Sequence, residues 1–390
     1  MAVDDLWYLR RPDAVTGARI PSQRHGRGKR WRVRYADDSG HPVTRLFDRK
    51  PDAQHYEAET RTDIARGVYI DPAAGKVTVE RYAATWRASK LHRDSTSSLV
   101  ERAFRLHIVP VIGGMAIASV RASHVQSMVT GWSSTMAASS ARLIYSHVVA
   151  MFHAAVRDRA IALTPCVGIE LPELPRGEHL ILTPQQVHAL AEALPAECRA
   201  MVYLGAGCGL RPSEVFGLEL GHVDLARREI HVVQQLRTAT GRPPFLAPLK
   251  TRTSHRTVEL PRVTADAIAK HLVTSGGVTG VQVTDATTRT PRERTAELLF
   301  TITGAPISRS VWSKLWAPAA RTVGLPAGTG FHALRHYFAT LLIFSGANVK
   351  TVQLALGHST PIITLNTYVG LWPDQLDRTR NLVDDALGAS

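Results

Sequence analysis

The sequence predicts a multidomain chain, mainly α with small β elements, and three observations carry that expectation. Its 390 residues exceed what one core ordinarily organises. Two stretches rich in proline, glycine and charge, residues 71–77 (DPAAGKV) and 172–178 (PELPRGE), read as linkers. The hydrophobic period is two in the first segment and in a short region near 228–260, and helical elsewhere. The expected units are therefore 1–75, a small β-sheet plus a helix; 76–175, a helical bundle; and 176–390, a mixed α+β domain.

Composition narrows the class of partner. Hydrophobic residues make up 44% of the chain, enough for several cores. Lys and Arg number 47 against 33 Asp and Glu, a formal net charge of +14, which suits a polyanion. No apolar run reaches membrane-spanning length, and the opening MAVDDLWYLRRPD lacks the apolar core of a signal peptide. The expectation is a cytoplasmic protein without a membrane partner. Cys166, Cys198 and Cys208 are too few and too irregular for a disulfide framework or a CxxC zinc site, and read as reduced thiols.

In the first unit, Arg30-Trp31-Arg32-Val33-Arg34-Tyr35 alternates cation and apolar residue, as a half-buried strand with one cationic face does. A turn at Asp38-Ser39-Gly40 allows a returning strand over 43–47, and a helix follows over 51–66, closed by Gly67. Arg24, Arg27, Lys29, Arg30, Arg32 and Arg34 are the candidate DNA contacts. An ordinary αβ module with a solvated basic face would show the same pattern.

The second unit reads as helices. One carries Tyr82 and Trp86; one spans 97–108 and stops at Pro110 and Gly113-Gly114; a short one spans 123–131. A long one over 137–159 places Leu143, Val148, Met151 and Ala155 along one face. In the third unit, Thr183-Pro184-Gln185-Gln186 is a capping box with proline at the first helical position. Residues 229–236 and 257–260 read as strands, and 274–297 as an extended surface loop.

Five elements of this last unit carry chemistry when taken together. Gly209-Leu210-Arg211-Pro212-Ser213-Glu214 sets Arg211 at the edge of a helix, where a guanidinium can meet an anion. Lys250 lies in a polar turn between the two strands and can present a proton. His332-Ala333-Leu334-Arg335-His336 opens an apolar helix and puts His332 and Arg335 on one face. Leu356-Gly357-His358-Ser359-Thr360 places His358 in a tight turn after a short helix begun near Asn348. Tyr368 follows on the helix that Thr360-Pro361 starts. Each alone has a bland reading: an Arg–Glu pair, a solvated lysine, a core tyrosine. His332, His336 and His358 could suggest zinc, but the glutamate of HExxH is missing and Arg335 would repel a cation, so no metal and no cofactor is expected.

In this order the five motifs closely resemble the tyrosine recombinase (phage integrase) family. The resemblance covers the whole chain, including His107-Ile108-Val109-Pro110-Val111-Ile112-Gly113 in the helical unit. It implies an arm-site-binding module, a core-binding domain and a catalytic domain, in that order. Tyr368 stands one residue further from His358 than in many members. The implied activity is site-specific DNA recombination, integrating or excising a mobile element such as a phage, without metal or ATP.

The resemblance also assigns roles. Tyr368 would attack the scissile phosphate to give a 3′-phosphotyrosyl bond, and Arg211 and Arg335 would clamp its oxygens. Lys250 would protonate the departing 5′ oxygen, His332 would take the tyrosine proton, and His358 would donate to the phosphate. The implied partners are double-stranded DNA at core-type and arm-type sites, three further copies in a homotetramer on DNA, and a host DNA-bending or directionality factor. The tail, with a helix-like stretch over 376–387, would dock on a neighbouring copy as in relatives; packing on its own domain or fraying is the alternative. Two other readings use similar residues: a type IB topoisomerase, and a non-catalytic DNA-binding protein descended from a recombinase.

Overall fold

The computed structural model describes residues 2–368, apart from 37–39, 41, 72, 92–93, 175–179, 240, 276, 279 and 289. The tail assigned to docking lies outside the described residues. The chain divides into two compact units, Met1–Arg176 and Gly177–Ser390. Among the described residues no helix is long and apolar enough to cross a membrane.

The first unit opens with β1 (Ala2–Asp5), β2 (Trp31–Ala36) and β3 (Pro42–Phe47), an antiparallel sheet in that order, with α1 (Lys50–Ala65) on one face. The alternation of β2 is the cause: Val33 and Tyr35 turn inward onto Ala53 and Tyr69, while Arg32 and Arg34 turn outward. The Tyr35 hydroxyl lies 2.8 Å from that of Tyr56 and 2.9 Å from that of Tyr69, which satisfies the phenols inside this small core. The sequence pattern gave no sign of β1. It pairs Asp4 with Arg32 and Asp5 with Trp31, so two carboxylates stand beside the cationic strand.

The helical part of this unit has its own core. Its helices are α2 (Val79–Ala88), α3 (Asp94–Ala103), α4 (Val109–Ile112), α5 (Ala122–Thr135) and α6 (Ala138–Arg157). Two expectations change here. The helix expected to stop at Pro110 continues to Ile112, because a π turn over Phe104–Ile108 widens the backbone where the proline lacks an N–H. In α6 the buried stripe runs through Ala141, Ile144, Val148, Met151 and Ala155, and Leu143 is 46% exposed. The true stripe keeps the three-four spacing; Leu143 lies one residue off it.

The second unit is built round α8 (Arg199–Cys208), with α7 (Pro184–Ala193) on one side and α9 (Pro212–Phe216) after it. The box at Thr183 forms: its hydroxyl accepts the Gln186 N–H at 3.2 Å and the Gln186 side chain accepts the Thr183 N–H at 2.9 Å. Two sheets follow. β4 (Val223–Asp224), β5 (Glu229–Val232) and β8 (Arg256–Glu259) form one, in that order. The other has the order β10-β9-β7-β6, from β6 (Gln234–Ala239), β7 (Arg242–Pro248), β9 (Val281–Asp285) and β10 (Arg292–Ala296).

Lys250 therefore follows β7 and leads into a different sheet, rather than joining strands 229–236 and 257–260 directly. The stretch 274–297 is not an extended surface loop. Val281, Val283 and Asp285 point inward, and Arg294 closes on Asp285 at 2.5 Å and Glu219 at 2.6 Å. In the chain α10 (Arg262–Thr274) runs between β8 and β9; after β10 come the short pair β11 (Thr301–Ile302) and β12 (Ala305–Pro306), then α11 (Arg309–Thr322). Three helices complete the described chain: α12 (His332–Phe344), α13 (Val349–Leu356) and α14 (Pro361–Tyr368).

Candidate active site

Two left-handed residues at helix ends shape the site. Gly209 (φ 61°) ends α8 and Gly357 (φ 63°) ends α13. A Cβ on Gly209 would lie 2.4 Å from the Phe338 ring, so only glycine permits both the turn and the approach of α12. The freed carbonyl has a use. Arg335, 5% exposed, donates from Nη1 to Gly209 O and from Nη2 to Leu356 O, both at 2.5 Å. One guanidinium thus spans the ends of α8 and α13. Burial, and then Arg211, push its pKa down to about 9, which leaves it cationic at neutral pH.

Arg211 precedes Pro212 at the start of α9. Its backbone N–H donates to Glu214 at 2.9 Å and its Nη1 to the same carboxylate at 2.7 Å. Glu214 is 3% exposed and is shared with Arg256, whose Nη2 lies 2.9 Å away. Burial opposes its ionisation, but Arg256 and Arg211 win and hold the carboxyl at about 2.

His358 leaves the Gly357 turn with Nδ1 2.9 Å from Thr364 Oγ1. Burial, then Arg335, Arg211 and Arg256, push its pKa down to about 4, so the free site holds it neutral. His332 is lowered as well, by burial and then by Arg335 and Arg211, although the residue keeps an exposed surface. Tyr368 is 2% exposed, and its hydroxyl lies 2.8 Å from Nδ1 of His336, with the rings packed edge to face. Burial raises its pKa to about 12, against a partial pull from Arg335.

Arg211, His332, Arg335, His358 and Tyr368 therefore lie in one electrostatic cluster. Lys250 stands exposed on the turn after β7. That turn is tied to the cluster through Arg256, which donates to Ser254 O at 3.0 Å. Arg256 and His336 are residues that the motif reading did not assign. His336 was visible inside HALRH, but its contact depends on where α14 lands. Arg256 was visible only as one more basic residue in a polar turn. Among the described residues no group of three His, Cys, Asp or Glu could hold a metal; His336 and His358 instead each meet a hydroxyl through Nδ1. A cleft of about 1010 Å³ opens beside His332 and Ser213, walled by Trp312, Trp316, Arg309 and Arg321.

The comparisons with known proteins bear on most of the chain. The model of the phage integrase family matches residues 181–373, a span that contains all five motifs. The tyrosine recombinase XerD of Xanthomonas axonopodis pv. citri is 31% identical over 229 residues, 57% of this chain and 68% of that protein. The chain belongs to the phage integrase family of tyrosine recombinases. As such it is an enzyme, a site-specific DNA recombinase. The integrase of Mycobacterium phage L5 is 25% identical to the recombinase over 355 residues, 88% of this chain and 90% of that one. In fold, the recombinase is similar to the Tn1549 transposon integrase in complex with transposon right end DNA, with a TM-score of 0.68, 22% identity, and coverage of 80% of this chain and 100% of that one.

The six expected DNA contacts of the first unit are partly engaged within the protein. Asp4 lies 2.5 Å from Arg10, 3.0 Å from Arg32 and 3.3 Å from Arg34; Asp5 lies 2.8 Å from Arg30. Arg30 also stacks over Trp31, 5.0 Å from the ring centre. Lys29 is 3.9 Å from Asp48, and Arg24 and Arg27 are exposed.

Proposed function

We propose that this recombinase breaks and rejoins DNA through Tyr368, with Arg211, Lys250, His332, Arg335 and His358 as its catalytic partners, in integrating or excising a mobile element. The observation that supports this most is the convergence of two guanidiniums, two imidazoles and the phenol on one cluster whose charge suits a phosphate. The Tyr368 oxygen bonds to phosphorus, its proton passes to His332, and the 5′ oxygen leaves with a proton from Lys250. Arg211 and the unspent N–H groups of Arg335 bind the non-bridging oxygens, and His358 adds a hydrogen bond. The 5′ hydroxyl of a partner strand then attacks the phosphotyrosine and releases the phenol.

The free site is at rest. A phenol raised to about 12 and bonded to His336 is a poor nucleophile, and His358 near 4 is neutral. An entering phosphate would favour imidazolium and draw the cations toward itself.

The three units 1–75, 76–175 and 176–390 are assigned to arm-site binding, core-site binding and catalysis. Arg32 and Arg34 on the outer face of β2 support the first assignment. Strand exchange between two duplexes needs four active sites, so the working form is a homotetramer on DNA; lambda integrase has been solved as a tetramer bound to a Holliday junction. An apolar groove of about 690 Å³ between α7, α8, α12 and α13 suits the apolar residues of the tail of a neighbouring copy. A host DNA-bending or directionality factor belongs to the same reading, as does action on DNA in the cytoplasm.

The test is covalent trapping. Duplex fragments of the DNA flanking the coding gene are mixed with the protein and stopped with detergent. The wild type should carry DNA through the detergent, and Tyr368→Phe should not, while still shifting the same fragments in native gels. Continued strand cutting by the variant would remove Tyr368 from its role.

A further inference from the structure

Arg256 takes no part in the chemistry just proposed, yet it is the most connected cation of the site. Its side chain is 7% exposed. Nη2 donates to Glu214 at 2.9 Å, Nη1 to Ser254 O at 3.0 Å, and Nε to Ala355 O at 3.1 Å. These acceptors belong to three different segments: the start of α9 behind Arg211, the turn that carries Lys250, and the last turn of α13 before His358. A Cβ on Gly357 would lie 3.2 Å from Cδ and Nη1 of Arg256, so the guanidinium packs directly on that backbone. A planar fork with fixed donor directions sets the distances between whatever it holds.

Two of the three segments are also held by the clamp arginines. Arg211 caps α9 with Glu214, and Arg335 holds the end of α13 through Leu356 O. In the turn Lys250, Arg252 and Thr253 are exposed and Ser254 is buried; the Thr251 hydroxyl bonds within it, to Ser254 at 2.8 Å and Thr253 at 3.1 Å. Those bonds give the turn its shape, and Arg256 joins it to Glu214 and to the end of α13. We propose that Arg256 is a positioning residue: it fixes the Lys250 turn against the Arg211–Arg335 clamp, so that the ammonium meets the departing 5′ oxygen. The inference rests on the assignment of Lys250 as the acid.

The test separates positioning of the acid from support of the fold. The duplex recovered by trapping is made with either oxygen or sulfur at the bridging 5′ position of the scissile phosphate. An alkyl thiol is far more acidic than a sugar hydroxyl, so sulfur departs without a proton. Full-length wild type, K250A, R256Q and R256K are compared by the rate of adduct formation at saturating protein. On oxygen, R256Q should be slower by about 100-fold or more, the usual worth of a placed acid. On sulfur it should come within roughly tenfold of wild type, as should K250A. R256K should behave like R256Q, because one ammonium cannot span three separated acceptors; should R256Q not fold, R256K decides by the same comparison. Equal slowing on both substrates, or none on either, would overturn the proposal. If sulfur fails to relieve K250A itself, the assignment of Lys250 falls, and the inference with it.

Discussion

Replacing Glu214 by Gln should destabilise the second unit by about 3 kcal/mol, and the size follows from the site. The carboxyl falls from an ordinary 4.5 to about 2 between Arg256 and Arg211. Each tenfold in proton affinity is worth about 1.4 kcal/mol, which gives about 3 kcal/mol for the charge. The same figure follows from the other side: removing one member of a buried pair leaves Arg256, 7% exposed, without its counter-ion, at a cost of roughly 3–5 kcal/mol. The sign is fixed by linkage. A depressed carboxyl pKa stabilises the fold at pH values above the unfolded carboxyl range, and that stability is lost as pH falls from about 4.5 toward 2. Calorimetry at neutral pH should therefore show a melting temperature lower by roughly 6–12 °C for a unit of this size. The gap between wild type and variant should close as the solution is acidified through that window. A loss below about 1 kcal/mol, or a gap that ignores pH, would refute the reasoning.

Three further outcomes follow from the geometry. In the DNA-free protein the His358 imidazole should titrate near 4 by NMR, assigned with His358→Gln, and its midpoint should rise when the cleavage site binds; a free midpoint near 6.5 would contradict its surroundings. The paired change Arg32→Ala and Arg34→Ala should flatten the salt dependence of binding to arm-type DNA by about two in log–log slope. An unchanged slope would mean that the outer face of β2 does not touch phosphate. Gly209→Ala should cost activity and stability together, since a Cβ there meets the Phe338 ring at 2.4 Å and the carbonyl that holds Arg335 would move; wild-type trapping by this variant would show that the Arg335 tether is dispensable.

Much of this architecture is legible in the chain. Local codes were enough for the caps at Thr183 and Asn348, the alternation of β2 and the αL glycine after α13, because each is decided within a few residues. Pairing between distant segments was not legible. β1 is four residues of AVDD, and it is a strand only because β2 offers an edge and guanidiniums for its carboxylates. β7 carries Pro243, Pro244 and Pro248, which argue against a strand; they fall toward its two ends, and the central Phe245 and Leu246 make the parallel pairing with β9. The chemical residues were legible as types in an order. The partner of Tyr368 was not, since α12 and α14 meet through His336, four residues beyond the histidine given the proton. Arg256 was hidden for the same reason: its three acceptors lie 2, 42 and 99 residues away.

The most direct measurement is the chemistry of the trapped bond. Trypsin digestion of the detergent-stable complex should yield one nucleotide-bearing peptide, residues 351–378, and fragmentation should place the nucleotide on the Tyr368 oxygen through a 3′ phosphate. A nucleotide on any other residue, or joined through its 5′ phosphate, would contradict the account.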